Sequence, residues 1–321
     1  MKEKIKRILF NIKKVNNKIF CKINKNKFDK KIAIVSSDKW INIVKEDILL
    51  KIELNNKLID VDIISWQDKS IDYSKYDALI IRSIWGYQDY IEEFISWLNM
   101  LKNNNIKVFN NVDILLSNLN KYEQFKILDN NNLRHIDTFF IKKENINVIN
   151  SIYKEYKDIV LKPIISGSGN NTYIISDNIK KNNIEIKDVK EKFDKVLNKV
   201  NNYIMVQPFV KEINNGELSV VVINNEISHA AIRYTSVFNN VNQIRIINVN
   251  EIDKKVLDIV KKCQNIKEYK DALYMRVDLV KIDNDYKIME LELVEPQLFF
   301  EYKENKLKLK EFVSVIRDRL K

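Results

Sequence analysis

The fold is decided by one stretch near the C-terminal end, Tyr274–Pro296, which reads YMRVDLVKIDNDYKIMELELVEP. Residues 275–280 and 286–294 are rich in apolar and β-branched side chains, which favour strands. Between them, residues 283–285 are Asp, Asn and Asp, which favour a tight turn. The stretch therefore predicts a β-hairpin of two paired strands.

Three acidic side chains of this hairpin are candidates for a metal site. Glu290 and Glu292 are two positions apart, so they share one face of their strand, and Asp278 can lie opposite them on the other strand. Clustered carboxylates repel one another unless a cation neutralises them, and oxygen ligands of this kind suit Mg²⁺. We therefore expect these three residues to bind a metal ion. The alternative is that they face water on an exposed strand.

Length and composition are typical of a globular protein. The chain has 321 residues, of which 45% are hydrophobic, enough for two or three structural units with ordinary cores. No run approaches about eighteen consecutive apolar residues and no signal peptide is visible, so we expect a cytoplasmic protein without a transmembrane helix. The chain has two cysteines, Cys21 and Cys263, and two histidines, which exclude a disulfide framework and a multi-histidine metal centre.

Positive charge is concentrated at the N-terminal end. Residues 1–30 contain eleven Lys or Arg and two acidic residues, so they carry +9 of the net charge of +11. Apolar residues recur there at helical spacing, which predicts a basic amphipathic helix that lies on an anionic membrane surface. The alternative is a solvated basic tail. The rest of the chain carries only +2, and no strand interleaves aromatic with basic side chains, so we expect no nucleic-acid binding.

Strands and helices alternate along residues 31–112, which predicts a parallel sheet with helices on its faces. The predicted strands are 31–36, 61–65, 76–82 and 106–109, and the predicted helices are about 40–55 and 90–103. No Gly-rich dinucleotide fingerprint follows any of these strands, which disfavours a nicotinamide site.

A lysine and a glycine loop follow a later predicted strand. Lys162 lies at the end of that strand, and residues 166–171 read SGSGNN, with two of the four glycines of the chain. Alternate glycines let successive backbone N–H groups approach phosphate oxygens, and a nearby lysine adds a point charge. Lys162, Gly167, Ser168 and Gly169 are therefore candidates for contacts with a nucleotide. The alternative for the loop is an ordinary flexible turn.

Further motifs follow in order along the chain. They are Asn118–Lys121 (NLNK), Leu161–Pro163 (LKP), the loop 166–171, Met205–Val210 (MVQPFV), Gly216–Ser219 (GELS) and Met289–Pro296 (MELELVEP). This ordered set resembles the ATP-grasp superfamily, and within it the group similar to bacterial glutathione synthetase and the cycloserine-type amide ligases. The resemblance extends over residues 31–302, with Asp137 where a proline is common.

The resemblance implies an ATP site. Two lysines and the glycine loop would contact the phosphates, the segment around residue 209 the adenine, and one glutamate the ribose hydroxyls. The residues that it places at the nucleotide are Lys121, Lys162, Gly167, Ser168, Gly169, Gln207, Phe209, Val210 and Glu217. It also implies that Asp278, Glu290 and Glu292 hold Mg²⁺, with Mn²⁺ as the alternative ion.

The resemblance further implies the fold class and the domain ranges. We expect an α/β (α+β) protein in which a small parallel-sheet domain, residues 31–112, precedes an ATP-grasp domain, residues 113–321. The latter would comprise a small lid subdomain at about 120–205 and a large subdomain at about 206–321. Residues 1–30 would form a basic amphipathic extension.

Two arginines are implied at the transferred phosphate. Ser228–Arg233 resembles the family strand whose cation contacts that phosphate, and Gln243–Arg245 resembles a later strand whose arginine steadies an acyl phosphate. We therefore expect catalytic roles for Arg233 and Arg245, against the alternative of surface charge on a sheet. Residues 234–248 lack the glycines that the family often has here, so the acceptor side of the site departs from the pattern.

The motif Arg82–Tyr87 (RSIWGY) resembles an Arg-Ser-x-Trp-Asp-Tyr motif of this group, with Gly86 in the place of the aspartate. It ends a predicted parallel strand, where open sheets bind ligands. We expect Arg82 to pair with a substrate carboxylate, and Trp85 and Tyr87 to line its pocket. The alternative is an aromatic pair packed in the core beside a structural arginine.

The function that the resemblance implies is an ATP-dependent carboxylate-amine ligase. Its substrates would be a carboxylate and an amine, such as amino acids or short peptides, joined through an acyl phosphate with release of ADP and phosphate. The alternatives are an ATP-grasp kinase that phosphorylates a hydroxyl group, and a catalytically silent nucleotide-binding protein. A homodimer is the default assembly.

Overall fold

The computed structural model describes residues 2–167, 171–179, 182–197, 200, 202–235 and 242–321. The first part of the chain forms α1 (Lys2–Ile23), β1 (Lys30–Ser36), α2 (Lys45–Asn55), β2 (Ile59–Ser65), β3 (Ala78–Ile81), α3 (Ile91–Asn103), β4 (Val108–Phe109) and α4 (Val112–Leu119). The middle part forms α5 (Lys121–Asn130), β5 (Phe139–Lys142), α6 (Ile149–Tyr156), β6 (Ile159–Pro163), β7 (Tyr173–Ile175), α7 (Val189–Asp194) and β8 (Tyr203–Pro208). The last part forms β9 (Glu217–Ile223), β10 (Glu226–Thr235), β11 (Asn242–Ile247), α8 (Lys254–Gln264), β12 (Tyr274–Ile282), β13 (Asp285–Glu292) and α9 (Lys306–Arg319).

The chain divides into two compact units. Unit 1 comprises Met1–Trp85, Ser96–Val112 and Val294–Lys321, and unit 2 comprises Gly86–Ile95 and Asp113–Leu293. This division differs from the predicted domain ranges mainly at the C-terminal end, because the last segment belongs to unit 1.

The sheet of unit 1 is parallel, with strand order β2-β1-β3-β4. Its central strand β1 carries the fully buried run Ile32, Ala33, Ile34 and Val35, as expected for a parallel sheet covered on both faces. The parallel sheet predicted for this region is therefore confirmed.

The C-terminal segment joins unit 1 through a buried glutamate of α2. The Glu46 carboxylate accepts hydrogen bonds from the backbone N–H groups of Leu298 and Phe300, both at 3.0 Å. Helix α9 buries Phe312 and Ile316 completely and contacts α2. Hydrogen bonds to a buried carboxylate together with apolar burial explain why a segment distant in sequence completes this unit.

Unit 2 contains two antiparallel sheets. The larger sheet has the order β11-β10-β9-β12-β13, and the smaller sheet has the order β5-β8-β6-β7. Strands β12 and β13 form the hairpin predicted from the sequence. The smaller sheet covers an apolar cluster that includes Leu161, Phe193, Ile204 and Val206. A parallel N-terminal sheet followed by antiparallel sheets confirms the predicted mixed α/β fold class.

Across the described parts of the chain, no helix combines the length and the apolar character that crossing a bilayer requires.

Candidate active site

One face of the larger sheet of unit 2 carries a cluster of charged side chains. Strand register places Arg276 opposite Glu292 and Asp278 opposite Glu290. On the other side of β12, Ser219 of β9 is opposite Asp278. Residues opposite each other or two apart on a strand share a face, so the alternation of these strands is what gathers the cluster.

Asp278 is held by hydrogen bonds to both of its carboxylate oxygens. Oδ1 accepts from Ser219 Oγ at 2.7 Å and from Arg276 Nε at 2.9 Å. Oδ2 accepts from Arg276 at 2.8 Å and from Arg233 at 2.7 Å. Burial opposes ionisation of this residue, which is 1% exposed, but the two arginines hold the pKa of Asp278 below its usual range. Asp278 therefore anchors the two guanidinium groups.

Glu290 and Glu292 each contact one basic residue and keep part of their surface open. Lys121 forms an ion pair with Glu290, and Arg276 contacts Glu292 at 2.7 Å. The two glutamate side chains are 23% and 29% exposed. Burial raises the pKa of Glu292, whereas Lys121 and Lys162 outweigh burial and lower the pKa of Glu290.

This geometry disfavours the expected metal site of three carboxylates. Among the described residues, no group of three or more His, Cys, Asp or Glu side chains is arranged to hold a metal ion. Asp278 directs its oxygens to arginines and a serine, so it does not converge with the glutamates. Glu290 and Glu292 still offer the oxygen donors that suit Mg²⁺, and together they are the pair that fits such an ion.

Two lysines lie beside these carboxylates. Asn120 caps α5 by accepting a hydrogen bond from the Tyr122 N–H at 2.9 Å, so the helix begins at Lys121. The Lys121 ammonium also donates to the Ser166 carbonyl at 3.2 Å, next to the glycine loop. Burial lowers the pKa of Lys162, on β6, despite nearby carboxylates. Two cations near this loop are suited to an anionic ligand.

The outer edge of β13 is held by two amide side chains that sequence reasoning missed. Asn118 accepts from the Leu293 N–H at 2.8 Å and donates to the Leu291 carbonyl at 2.9 Å. Gln124 donates to the same Leu291 carbonyl at 2.8 Å and accepts from its N–H at 3.1 Å. Both amides are buried, and they fix the strand that carries the two glutamates against the start of α5, which carries Lys121.

Glu217 and Arg233 form an ion pair at 2.8 Å. Burial raises the pKa of Glu217 to about 7 even though the guanidinium lies beside it. Gly216 precedes this residue with φ +106°, and a Cβ there would lie 2.4 Å from Ile232 Cγ2, so only glycine fits. Glu217, expected at a ribose, is thus tied to the arginine expected at the transferred phosphate.

Two residues of the predicted adenine segment, Gln207 and Phe209, form hydrogen bonds to other residues of the protein. Gln207 is buried and donates to Thr138 Oγ1 at 3.0 Å, and the Phe209 N–H donates to the Asp158 carbonyl at 2.8 Å. These contacts favour structural roles for the Gln207 side chain and the Phe209 N–H over the expected adenine contacts. Val210 follows β8 directly and keeps its expected role as a prediction.

Part of the glycine loop lies outside the described residues. Gly167 is described and partly exposed, whereas the predicted contacts of Ser168 and Gly169 fall on residues that the structure does not describe. Gly167 follows Ser166, whose carbonyl contacts Lys121, so the described start of the loop adjoins the charged cluster.

Arg245 lies on the opposite face of the sheet from Arg233. It is paired in register with Ile232, whereas Arg233 is paired with Ile244. Because neighbouring residues of a strand point to opposite faces, Arg245 does not share the face of this cluster, which disfavours the expected catalytic role there. A cavity of about 370 Å³ on its side is lined by Arg245, Glu251, Asp253, Lys281 and Tyr286, among others.

In unit 1, Arg82 is buried in a polar network. Its guanidinium is 3% exposed, contacts Glu46 at 3.1 Å and donates to the Pro296 carbonyl at 2.8 Å. A substrate carboxylate would have to displace Glu46 from this position. The geometry therefore corrects the expectation of a substrate contact and favours a structural role for Arg82.

The two aromatic residues of the same motif differ. Tyr87 is 3% exposed and packs against Phe94 with ring centroids 4.8 Å apart, so it is a core residue, not a pocket wall. Trp85 is half-buried and meets Trp40 edge to face at 5.3 Å. Gly86, between them, has φ +100°, a conformation that an aspartate in its place would adopt only with strain.

Arg276 is a further member of the cluster that sequence reasoning missed. It is 3% exposed and bridges Asp278 and Glu292, and these carboxylates raise its pKa further although burial opposes this. The available signal was its spacing. It lies two residues before Asp278, which puts both side chains on one face of the strand.

Two family models match the sequence. A family model described as prokaryotic glutathione synthetase, ATP-grasp domain, matches residues 128–304. A second, described as D-cycloserine synthetase DcsG, N-terminal domain, matches residues 32–110. No curated protein matches the sequence.

The chain is also similar to several solved structures. It superposes on D-cycloserine synthetase DcsG with a TM-score of 0.76 and 16% identity, over 91% of this chain and 100% of that one. D-alanine–D-alanine ligase from Bacillus anthracis, complexed with ATP, gives 0.63 and 14% identity over 91% and 97%. The ATP-grasp ligase PsnB, complexed with a minimal precursor, gives 0.63 and 14% identity over 91% and 100%. At these identities the likeness shows a common fold.

The ATP-grasp model spans more than half of the sequence, from residue 128 to residue 304, and covers the lysine of β6 and the glutamates of β13. The chain therefore belongs to the prokaryotic glutathione synthetase ATP-grasp family and is an ATP-grasp ligase.

Proposed function

We propose that the protein is a carboxylate-amine ligase that uses ATP to form an amide bond through an acyl phosphate. The observation that supports this most is one cluster, on and beside one face of the larger sheet, that combines four basic side chains with two partly exposed glutamates. The basic residues are Lys121, Lys162, Arg233 and Arg276, and the glutamates are Glu290 and Glu292.

The first step would transfer the γ-phosphoryl group of ATP to a substrate carboxylate. A carboxylate oxygen forms a bond to the γ-phosphorus, the bond to the β-γ bridging oxygen breaks, and ADP leaves. Lys121 and Lys162 would offset phosphate charge, and Arg233 would contact the transferred group. Fixed cations of this kind lower the barrier because they stabilise charge that is already in place.

The second step would form the amide. The amine attacks the acyl carbon, the bond to the phosphate oxygen breaks, and inorganic phosphate leaves as the nitrogen loses a proton. Gly167, in the loop of residues 166–171, would contact the phosphates through its backbone. Val210 and Glu217 would bind the adenine and the ribose. Glu290 and Glu292 would hold Mg²⁺, which supplies neutralisation of the ATP phosphates when bound.

The substrate classes are a carboxylate and an amine borne by amino acids or short peptides. Among the solved structures similar to this chain, one is named a D-alanine–D-alanine ligase, and another was solved with a precursor peptide. Trp85 is half-buried, unlike Arg82 and Tyr87 of the same motif, so we propose it as a substrate contact. The cavity behind Arg245 lies on the other face of the sheet and takes no part in this proposal.

The test is product analysis with purified protein, Mg²⁺-ATP and a pooled library of amino acids and short peptides. We expect ADP, phosphate and an amide identified by mass spectrometry, with turnover lost in Lys162→Ala and in Glu290→Gln. Lys281→Ala, an exposed lysine of β12, is the matched control and should retain turnover. A phosphorylated hydroxyl product would instead identify a kinase. ATP binding without any substrate-dependent phosphate release would identify a silent binder.

A further inference from the structure

Helix α1 packs against the rest of unit 1 by one of its faces. Asn17 is 8% exposed, and its amide donates to Asn55 Oδ1 of α2 at 3.0 Å. Asn55 in turn donates to the Ile59 carbonyl at 2.9 Å, so the contact continues to the start of β2. A buried amide pair of this kind fixes which side of the helix faces the body of unit 1.

The opposite face of α1 carries apolar residues that are open to solvent. Ile12, Val15, Ile19 and Ile23 are 48%, 56%, 54% and 74% exposed. Their spacing of three or four residues aligns them in one stripe along the helix. We call these four residues the apolar stripe. Single exposed apolar residues are ordinary, whereas four in line on one helix form a patch that water solvates poorly.

Basic residues flank the apolar stripe on both sides. At about 100° per residue, Lys18 and Lys22 fall on one flank and Lys13 falls on the other. All three side chains are exposed. Residues 4–28 contain nine Lys or Arg and no Asp or Glu, so no acidic side chain within this segment neutralises them. The exposed face of α1 is therefore apolar in the middle and cationic at its edges.

We propose that α1 holds the protein on the surface of a lipid bilayer that contains anionic lipids. The apolar stripe would enter the boundary between headgroups and acyl chains, and the flanking lysines would contact lipid phosphates. The helix would lie in the plane of the surface, because no described helix is suited to cross a bilayer. Asn17 would remain on the protein side.

Other occupants of this face fit its chemistry less well. A nucleic acid would satisfy the lysines but would leave four apolar side chains against phosphate and water. A second copy of the chain would bring together two segments that each carry +9. An anionic bilayer covers the apolar residues and neutralises the lysines together.

The experiment is co-sedimentation of the full chain with vesicles. One set contains phosphatidylcholine alone, and the other contains phosphatidylcholine mixed with phosphatidylglycerol. We expect at least about tenfold stronger binding to the anionic vesicles, and loss of most of that binding at high salt. Equal binding to both sets, or binding to neither, overturns the proposal.

Two variants separate the apolar from the electrostatic contribution. Ile12→Asp with Ile19→Asp should lower binding at least about tenfold, because two charges would enter the acyl boundary. Lys18→Glu with Lys22→Glu should lower binding to anionic vesicles about tenfold or more. The matched control is Leu307→Asp, which alters an apolar residue of unit 1 that is 67% exposed outside α1 and should leave binding unchanged. Thermal unfolding of each variant verifies its fold.

Three further outcomes would reject a lipid surface as the occupant. The first is loss of vesicle binding in Leu307→Asp equal to that of the stripe variants, and the second is unchanged binding in the stripe variants. The third is self-association in analytical ultracentrifugation that Ile12→Asp with Ile19→Asp abolishes, which would identify a second copy. The proposal does not depend on the ligase reaction, since vesicle binding is measured without ATP or substrates.

Discussion

At the scale of single residues, the charged cluster is a set of paired groups. Asp278 contacts Arg233 and Arg276, and Glu290 contacts Lys121. A charge removed from water must be paired or lose its charge, so each buried carboxylate here has a basic neighbour. An incoming polyphosphate would compete for the same cations, which is how ligand binding would release Glu290 and Glu292.

Arg233 and Arg245 provide a matched test of which sheet face is reactive. Arg233→Ala should lower kcat/KM for phosphate release about 100-fold or more, because a cation fixed at the transferred group would be lost. The kcat/KM of Arg245→Ala should stay within about twofold of the wild-type value, since that side chain lies on the other face of the sheet. Steady-state kinetics with saturating Mg²⁺-ATP measure both values.

Arg233→Ala also removes a partner of two buried carboxylates, so its folding must be verified by thermal unfolding. Arg233→Lys, which keeps the charge, should recover part of the activity. Equal losses in Arg233→Ala and Arg245→Ala would place the reactive face elsewhere.

Asp47 in unit 1 predicts a dependence of stability on pH. Burial raises the pKa of Asp47 from 3.8 to about 6, against the pull of Arg82. The folded state then favours the protonated carboxyl, so the stabilisation is complete below about pH 4 and is lost as the pH rises through 6. The free energy of unfolding should fall by about 2–3 kcal/mol across this window from Asp47 alone.

Urea unfolding of the wild type and of Asp47→Asn between pH 4 and pH 7 measures this effect. The variant should lack the part of the fall that belongs to residue 47. Asp68→Asn, at an exposed aspartate of unit 1, should keep the wild-type fall. If the free energy of unfolding changed with pH in the same way in the wild type and in Asp47→Asn, the pH dependence would not come from Asp47.

At the scale of elements, the backbone of β13 is held by side chains of α4 and α5. Asn118→Ala should lower the free energy of unfolding by about 1–3 kcal/mol. The variant loses two hydrogen bonds of the Asn118 side chain, one from the Leu293 N–H and one to the Leu291 carbonyl. The same change should lower kcat, since the strand that carries Glu290 and Glu292 would lose a fixed position.

The matched control is Asn131→Ala, at an exposed asparagine whose side chain donates to the Ile127 carbonyl of the preceding helical turn at 2.8 Å. It should change stability by less than about 0.5 kcal/mol and leave kcat unaltered. Denaturant titration and phosphate release measure the two effects. An Asn118→Ala enzyme with wild-type kcat would refute the positioning role.

Helices and strands could be predicted from the sequence wherever the local pattern of apolar residues matches the burial in the folded chain. The β12–β13 hairpin follows from two strand-forming runs around three turn residues, and it forms where expected. Which face each side chain occupies depends on strand register, which is set by partners distant in sequence. For this reason the sequence did not show that Arg233 and Arg245 lie on opposite faces. Arg276 was missed although its spacing from Asp278 was visible in the sequence, because that spacing alone does not show that the arginine is buried against the carboxylates.

At the scale of the whole molecule, the two ends of the chain contribute differently. Removal of Val294–Lys321 should abolish cooperative folding of unit 1, because Phe312 and Ile316 are fully buried and Glu46 would lose its backbone partners. Hydrogen exchange followed by mass spectrometry should show loss of protection in β1–β4.

Removal of residues 2–29, a segment of equal length, is the control. Asn17 is buried in this segment, whereas most of its other described side chains are exposed or half-buried. The melting temperature should therefore fall by only about 5 °C, and protection of β1–β4 should persist. Loss of protection after this N-terminal deletion would show that α1 is part of the core of unit 1.

The sequence by itself determined the hairpin and the basic N-terminal helix, because each depends on spacing within a short segment. It determined the fold class through the resemblance that an ordered set of motifs carries along the chain. Tertiary structure alone decided that Asp278 pairs with arginines and does not converge with Glu290 and Glu292 on one site. It also decided that Arg82 pairs with Glu46 and that residues 294–321 complete unit 1. These outcomes depend on which charges meet after burial. Desolvation makes such pairing obligatory, whereas the partners are brought together only by the folded chain.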